Sequence, residues 1–443
     1  MNQVDVAVIG SGVGGLGVAA LLARAGKKVA VLEKNGGIGG RATSFQWKGY
    51  TLNIGPHGGV VDRELDGLLR RVGKEPPPVG KFDDAVTYKD GEFVPLVSLI
   101  RPEDPDLLKF MNALVGATPE ELSVLDAVSA RDWLDSLEIK DADLRRLLTL
   151  GTLVGTTLPR LEDVAASAAI EALRPLTNPP EICWTCHGFL SYMQELADAV
   201  TENGGTVQTN AEVTKILVEN DRIKGVLVEQ GEKELPGEVR KGTVLEAPVV
   251  VAAFPIWDLF GLTGRGVFPP WFEQRVETLN RTTAFFGILA GCREPLYEEN
   301  WWVLMESPRT GYPFAAYMET NVCPQLAPEG EHLFNCCYLG EPELNEVEQR
   351  EHLHELLASA RQDLEELFPG WEEKCVWIKP FFHEFEEPAR TPGRAGVFRP
   401  GPKAPLIEGL YFAGDTVNAR ALPGLECAAA SAAQCADAIL KGV

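Results

Sequence analysis

Six consecutive residues, Gly10-Ser11-Gly12-Val13-Gly14-Gly15, hold the clearest chemical signal in the chain. Gly10, Gly12 and Gly15 have the spacing G-x-G-x-x-G. Between a strand and a helix, that spacing grips a pyrophosphate. The first glycine permits the tight turn, the second lets backbone approach the phosphates, and the third lets helix and strand pack closely. Glu33 follows at a distance where a carboxylate can accept hydrogen bonds from ribose hydroxyls. Gly39-Gly40-Arg41-Ala42 comes next. A second glycine pair and a fixed cation suit a bulky nucleotide along a sheet edge, with Arg41 near its phosphates. Cys183-Trp184-Thr185-Cys186-His187 matches C-x-x-C-H, a haem-attachment pattern.

The elements that must position these groups are also legible. Val4 to Ile9 reads as a buried strand. Leu16 to Ala25 reads as a helix with small residues at Ala19, Ala20 and Ala23, closed by Gly26. Val29 to Leu32 is a second strand, ending in Glu33. The helix N-terminus would offer free N–H groups and the positive end of its dipole to phosphate.

The runs V-x-V-I-G-S-G-V-G-G-L, V-L-E-K and G-G-R-A together resemble the FAD-binding amino terminus of the flavin amine oxidase and phytoene desaturase superfamily. Gly49-Tyr50-Thr51-Leu52-Asn53-Ile54-Gly55-Pro56-His57 is similar to that family's next flavin-contacting segment, with Asn53 where the family usually has Asp. The resemblance implies an α/β fold: an FAD-binding Rossmann-like domain of the glutathione reductase type with an inserted α+β substrate domain. It implies non-covalent FAD held by Gly10, Gly12, Val13, Gly14, Gly15, Glu33, Lys34, Gly39, Gly40, Arg41, Gly55, Pro56 and His57. From further along the chain it adds Val213, Gly414, Asp415, Gly424 and Leu425. No cysteine lies between Glu384 and Gly401, where some amine oxidases attach their flavin.

Bulk composition excludes several classes. A chain of 443 residues can bury a large core in two domains. The net charge of −23 argues against nucleic acid and against electrostatic docking on anionic lipid, leaving at most peripheral membrane contact. No apolar run is long enough to span a bilayer. Nine cysteines without an export signal suggest free thiols in a reduced, cytoplasmic protein. The C-x-x-C-H run therefore reads as apolar lining, with Cys and Trp facing the substrate chamber and a redox C-x-x-C as the alternative. Haem attachment of that type belongs to exported proteins, and no metal site is expected because no further ligands are spaced for one.

In chain order, residues 1–75, 187–254 and 386–443 are expected to form the FAD-binding domain, and 76–186 with 255–385 the substrate domain. Pro76-Pro77-Pro78 marks the first crossing. A hairpin is predicted around Lys89-Asp90-Gly91, helices from Pro105 to Leu158, and a glycine turn at Gly188 leading back into the cofactor fold. Period-two spacing predicts strands from Gly205 to Ala253. Further strands are predicted at Thr283–Ala290, Trp301–Met305, Phe314–Met318 and His332–Tyr338, with a helix at Leu353–Phe368. Any one of the many aromatics from Trp257 to Tyr317 suits a core, but together they favour an apolar tunnel over a polar pocket. Phe268-Pro269-Pro270-Trp271-Phe272 is a possible tunnel mouth. Gly409 to Asp415 reads as a strand ending in a carboxylate, and Glu426 to Leu440 as a last helix. In the family that helix points its N-terminus at the flavin.

The resemblance implies an FAD-dependent oxidoreductase acting on C–H or C–C bonds of an apolar isoprenoid-like or lipid substrate, by desaturation, saturation or isomerisation, with an electron acceptor that the sequence does not name. A flavin amine oxidase is the alternative, although the lysine such an enzyme uses cannot be placed. A third reading is a non-catalytic escort of prenylated GTPases, which shares the fold but has lost cofactor-holding residues. His57 and Arg420 are the candidate catalytic residues: His57 as acid or base, Arg420 to steady an anionic flavin or a substrate carboxylate.

Overall fold

The computed structural model describes residues 3–55, 58–174, 182–231 and 242–442. Pro56 and His57 lie outside the described residues, so the positions expected of them have no structural account.

The first strand, β1 (Val6–Ile9), is fully buried and turns through the glycine run into the helix α1 (Val13–Arg24). The next strand, β2 (Val29–Leu32), pairs with β1 in parallel. Strand Thr206–Gln208 adds outside β2, and Val249–Ala252 then Leu410–Phe412 add outside β1. All pairs in this five-stranded sheet are parallel. The Val- and Ala-rich runs of β1, β2 and Val249–Ala252 are almost wholly buried, as a covered parallel sheet requires, while the edge strand Thr206–Gln208 is half-buried. One face carries α1, the helices Glu64–Arg71 and Leu190–Glu202, and the last helix, Leu425–Lys441. The other face carries the antiparallel meander Ala211–Glu219, Arg222–Gln230 and Thr243–Glu246, with Phe268 and Phe272 packed against Phe412. These layers give the α/β fold expected from the sequence.

A seven-stranded mixed sheet forms a second body of structure. At its centre are Ala284–Cys292, His332–Gly340, Pro313–Met318 and Trp301–Glu306, and the hairpin Asp84–Lys89/Glu92–Pro95 closes one edge. The strand Cys375–His383 forms the other edge. The sequence reading missed it. It contains Pro380, which an edge strand tolerates because one side of its backbone needs no partner. Helices Pro105–Gly116, Pro119–Leu125, Ala130–Ser136, Ala142–Thr156 and Ala166–Leu173 cluster beside this sheet on their own core. The strands β3 (Thr43–Trp47) and β4 (Tyr50–Ile54) make a hairpin between the two bodies.

Two sequence expectations change. The Phe268–Phe272 run is not an open mouth: Phe268 and Phe272 are buried, and of its three aromatics only Trp271 is exposed. Phe286, Phe314, Trp302 and Tyr317 are likewise packed into cores. Such large rings bury more apolar surface than any other side chains, so they serve the interior first. The C-x-x-C-H run does contribute apolar filling. Cys183, Trp184 and Cys186 are buried, and Trp184 packs edge-on against Phe82 and Tyr317. Its sulfurs do not face each other. Cys186 instead lies 3.1 Å from Cys323. Among the described residues, no helix is long and apolar enough to cross a membrane.

Candidate functional site

A cleft of about 630 Å³ opens along the C-terminal ends of the parallel strands, the edge where α/β sheets bind ligands. Fourteen of the expected cofactor residues line it: Gly10, Gly12, Val13, Gly14, Glu33, Lys34, Gly39, Gly40, Arg41, Val213, Gly414, Asp415, Gly424 and Leu425. They come from three distant parts of the chain. Gly15 and Gly55 do not line it but shape it from behind. A Cβ on Gly15 would collide with the Gly10 carbonyl oxygen, and one on Gly55 would lie 2.5 Å from that of Arg41.

At the centre of the cleft the glycine turn delivers α1. Gly12 is its N-cap, has no side chain to accept the free N–H groups, and is followed by no acid in the first turn. The donors are thus left for an anion. A Cβ on Gly12 would meet nothing closer than 3.9 Å within the protein, so the space above it belongs to the cleft. At one end lies Glu33. Its Oε2 accepts from the Ser11 backbone N–H at 3.0 Å and from the Ser11 hydroxyl at 2.8 Å, and its Oε1 accepts from the Asn35 N–H at 2.9 Å. These bonds aim the carboxylate before any ligand arrives. Lys34, Glu212, Val213, Pro255, Asp258 and Leu262 continue this end, and burial raises the Asp258 carboxyl above its ordinary range.

At the other end, Arg41 donates twice to Asp415, at 2.7 and 2.8 Å, and once to the Glu386 carbonyl at 2.8 Å. Its guanidinium also lies over the Phe385 ring, 4.2 Å from the centroid. Burial works against the Arg41 charge, but Asp415 outweighs it and the pKa rises. The last helix starts here at Gly424, with no side-chain cap. Its first-turn Glu426 faces the Leu65 N–H at 3.1 Å; burial pushes its carboxyl up to about 7, against the pull of that bond. Among the described residues, Lys34 is the only lysine that lines the cleft, and it lies at the Glu33 end.

Arg420 is placed elsewhere. Its guanidinium is bonded to the buried Asp126, at 2.7 and 2.9 Å, and to Glu171 at 3.3 Å, and it does not line the cleft. These contacts tie the segment before the last helix to the helical cluster. Sequence reasoning missed Phe385 and Glu386, both of which line the cleft. No periodic signal marks them, because they lie in an irregular segment after an edge strand.

The model of flavin-containing amine oxidoreductases matches residues 13–440. The chain belongs to that family. Its cofactor is FAD, and the protein is an FAD-dependent oxidoreductase. The site fits the cofactor: uncapped helix N-termini at Gly12 and Gly424, a pre-aimed acid at Glu33, and a cleft whose floor is glycine backbone.

Among its relatives, this flavin oxidoreductase is 27% identical to the carotenoid 3,4-desaturase of Haloarcula japonica over 53% of this chain and 54% of that one. The chain thus spans about half the length of that relative. It is 25% identical to the chloroplastic prolycopene isomerase 2 of an Oncidium hybrid cultivar over 96% of this chain and 83% of that one. In fold it is similar to an oxidoreductase from Methanosarcina mazei, with a TM-score of 0.76 at 22% identity, covering 99% of this chain and 100% of that one. It is similar also to putrescine oxidase, with a TM-score of 0.71 at 18% identity and 99% coverage of each chain.

Proposed function

We propose that this oxidoreductase desaturates, saturates or isomerises an apolar, isoprenoid-like polyene. The observation that carries the reading is a similarity of sequence, running through 96% of the chain, to a protein named as an isomerase of prolycopene. Two desaturases named for carotenoid or phytoene substrates extend it, each over about half of the chain. The likeness to putrescine oxidase is one of fold. The lining also supports the reading, because no described lysine stands at the Arg41–Gly424 end to receive an amine.

Bound FAD would supply two-electron redox chemistry. The chain's own residues bind and orient it. The α1 N-terminus and Gly12 would hold the pyrophosphate, Glu33 the ribose of the nucleoside end, and Asp415, steadied by Arg41, the chain leading to the ring. The N-terminus of the last helix would favour negative charge at the ring end. Phe385 and Leu425 give that end apolar lining. We further propose that the cofactor is held without a covalent bond.

Anaerobic mixing of the holoprotein with polyenes, other isoprenoids and primary amines tests the reading. A polyene should bleach the flavin absorption, or emerge saturated or isomerised on chromatography with the pre-reduced protein. Bleaching by amines alone would overturn it.

A further inference from the structure

Removing two hydrogens from a C–C bond releases a hydride and a proton and leaves a double bond. Bound oxidised FAD would accept the hydride, and the proton needs a base. The cleft shows where such a base must stand. Its middle, at Gly12, would hold the pyrophosphate, and its Glu33–Val213 end the nucleoside. The redox-active ring is left with the end formed by Arg41, Asp415 and Gly424.

Besides Asp415, which is occupied by Arg41, one acidic residue among those described lines the cleft at that end: Glu386. Its backbone is pinned on both sides. Its N–H donates to the Thr283 carbonyl at 2.9 Å, and its carbonyl accepts from Arg41. The side chain is 9% exposed, and Oε2 lies 3.0 Å from His383 Nδ1. A Cβ on Gly55 would be 3.6 Å from the same oxygen. His383 ends the edge strand and is 28% exposed. Cleft, carboxylate, imidazole and solvent therefore lie in series. The neighbouring Glu387 is different. Its Oε1 accepts from the Thr157 hydroxyl at 2.9 Å, and it does not line the cleft.

We infer that Glu386, backed by His383, takes the substrate proton at the ring end of the cleft and passes it to solvent. The inference rests on the function proposed above. The proton lost from carbon goes to a Glu386 carboxylate oxygen, then to the imidazole, then to water. In saturation the same path runs backwards, and in isomerisation the pair adds a proton at one carbon and removes one from another, with no net hydride lost to the cofactor. The titratable and charged groups that face Glu386 are His383 at the end of the preceding edge strand, Arg41 and the Asp415 that shares it, Glu387 on the same segment, and the Cys337 thiol from the adjoining sheet.

The test begins without substrate. The bound flavin is reduced with light, and the pH at which reduced flavin changes between its neutral and anionic spectra is measured. Glu386→Gln removes a negative charge beside the ring and should lower that midpoint by about one unit. His383→Gln, which removes the imidazole that backs Glu386, should also shift it. An unmoved midpoint in both variants overturns the inference. Single-turnover reduction by whichever polyene bleaches the wild type should then slow at least tenfold in Glu386→Gln, with FAD content unchanged. A rate within twofold of wild type also overturns it. If no polyene reduces the wild type, the functional reading fails, while the light titration still decides whether Glu386 faces the ring.

Discussion

Arg41 and Asp415, 374 residues apart in the sequence, are joined by an ion pair in which one guanidinium nitrogen reaches both carboxylate oxygens, while the other donates to the Glu386 carbonyl. The pair couples the amino-terminal glycine segment to the strand that completes the sheet, and it does so on the cleft wall. Asp415 is nearly buried and Arg41 about one-third exposed, so the pair is screened only in part. Arg41→Lys keeps the charge but not the planar fork. FAD should bind roughly tenfold more weakly in Arg41→Lys, and weaker still in Arg41→Ala. Equilibrium dialysis of the flavin measures both.

Gly12→Ala and Gly15→Ala should separate binding from folding. Gly12 has extended backbone and no protein atom near its would-be Cβ. Alanine there should leave the melting temperature within a degree or two, yet abolish FAD retention by filling the place of the pyrophosphate. Alanine at Gly15 strikes backbone and should destabilise the fold by about 1–3 kcal/mol or more. Thermal unfolding and visible absorbance, read together, decide the matter.

Asn53 replaces the family's usual Asp, and its environment accepts either. Its Oδ1 accepts from the Ser44 hydroxyl at 2.8 Å and the Phe189 N–H at 3.1 Å, while its Nδ2 is buried without a partner. Asn53→Asp keeps both acceptances and removes the idle donor, so fold and FAD content should survive. Asn53→Leu strands two buried donors and should cost about 2 kcal/mol in denaturant unfolding.

Glu387 predicts a pH dependence of stability. Burial pushes its carboxyl up to about 8, against the pull of Arg390 and the Thr157 hydroxyl. The folded state therefore holds a proton that the unfolded state has released, and this contribution to stability falls as pH rises from about 4.5 to 8. Glu387→Gln cannot ionise. Its stability relative to wild type should improve between pH 6 and pH 9, as chemical denaturation at the two values would show.

Much of this molecule is legible in local patterns. The β1–α1–β2 unit shows because glycine spacing, buried β-branched runs and a terminal acid all point the same way. The last helix shows for the same reason, with Gly424 opening a run of small residues. Glu386 and His383 are hidden because their placement is tertiary. The segment from Glu384 to Pro388 is shaped by hydrogen bonds to Thr282 and Thr283, a hundred residues earlier. Arg420 shows the converse. A cation before a helix pointed to the cofactor, but the buried carboxylates Asp126 and Glu171 had the stronger claim on it.

The order in which the sheet is assembled governs the protein's birth on the ribosome. The Ala413–Asp415 segment that follows strand Leu410–Phe412 and the start of helix Leu425–Lys441 line the same cleft as Gly10. At about 5–20 residues per second, the glycine turn waits tens of seconds for the wall opposite it to be synthesised. A nascent chain stopped at residue 400 would have the floor of the cleft but no aspartate and no closing helix. Flavin supply would therefore act on the finished polypeptide, and a late stop codon would leave a protein that never acquires colour.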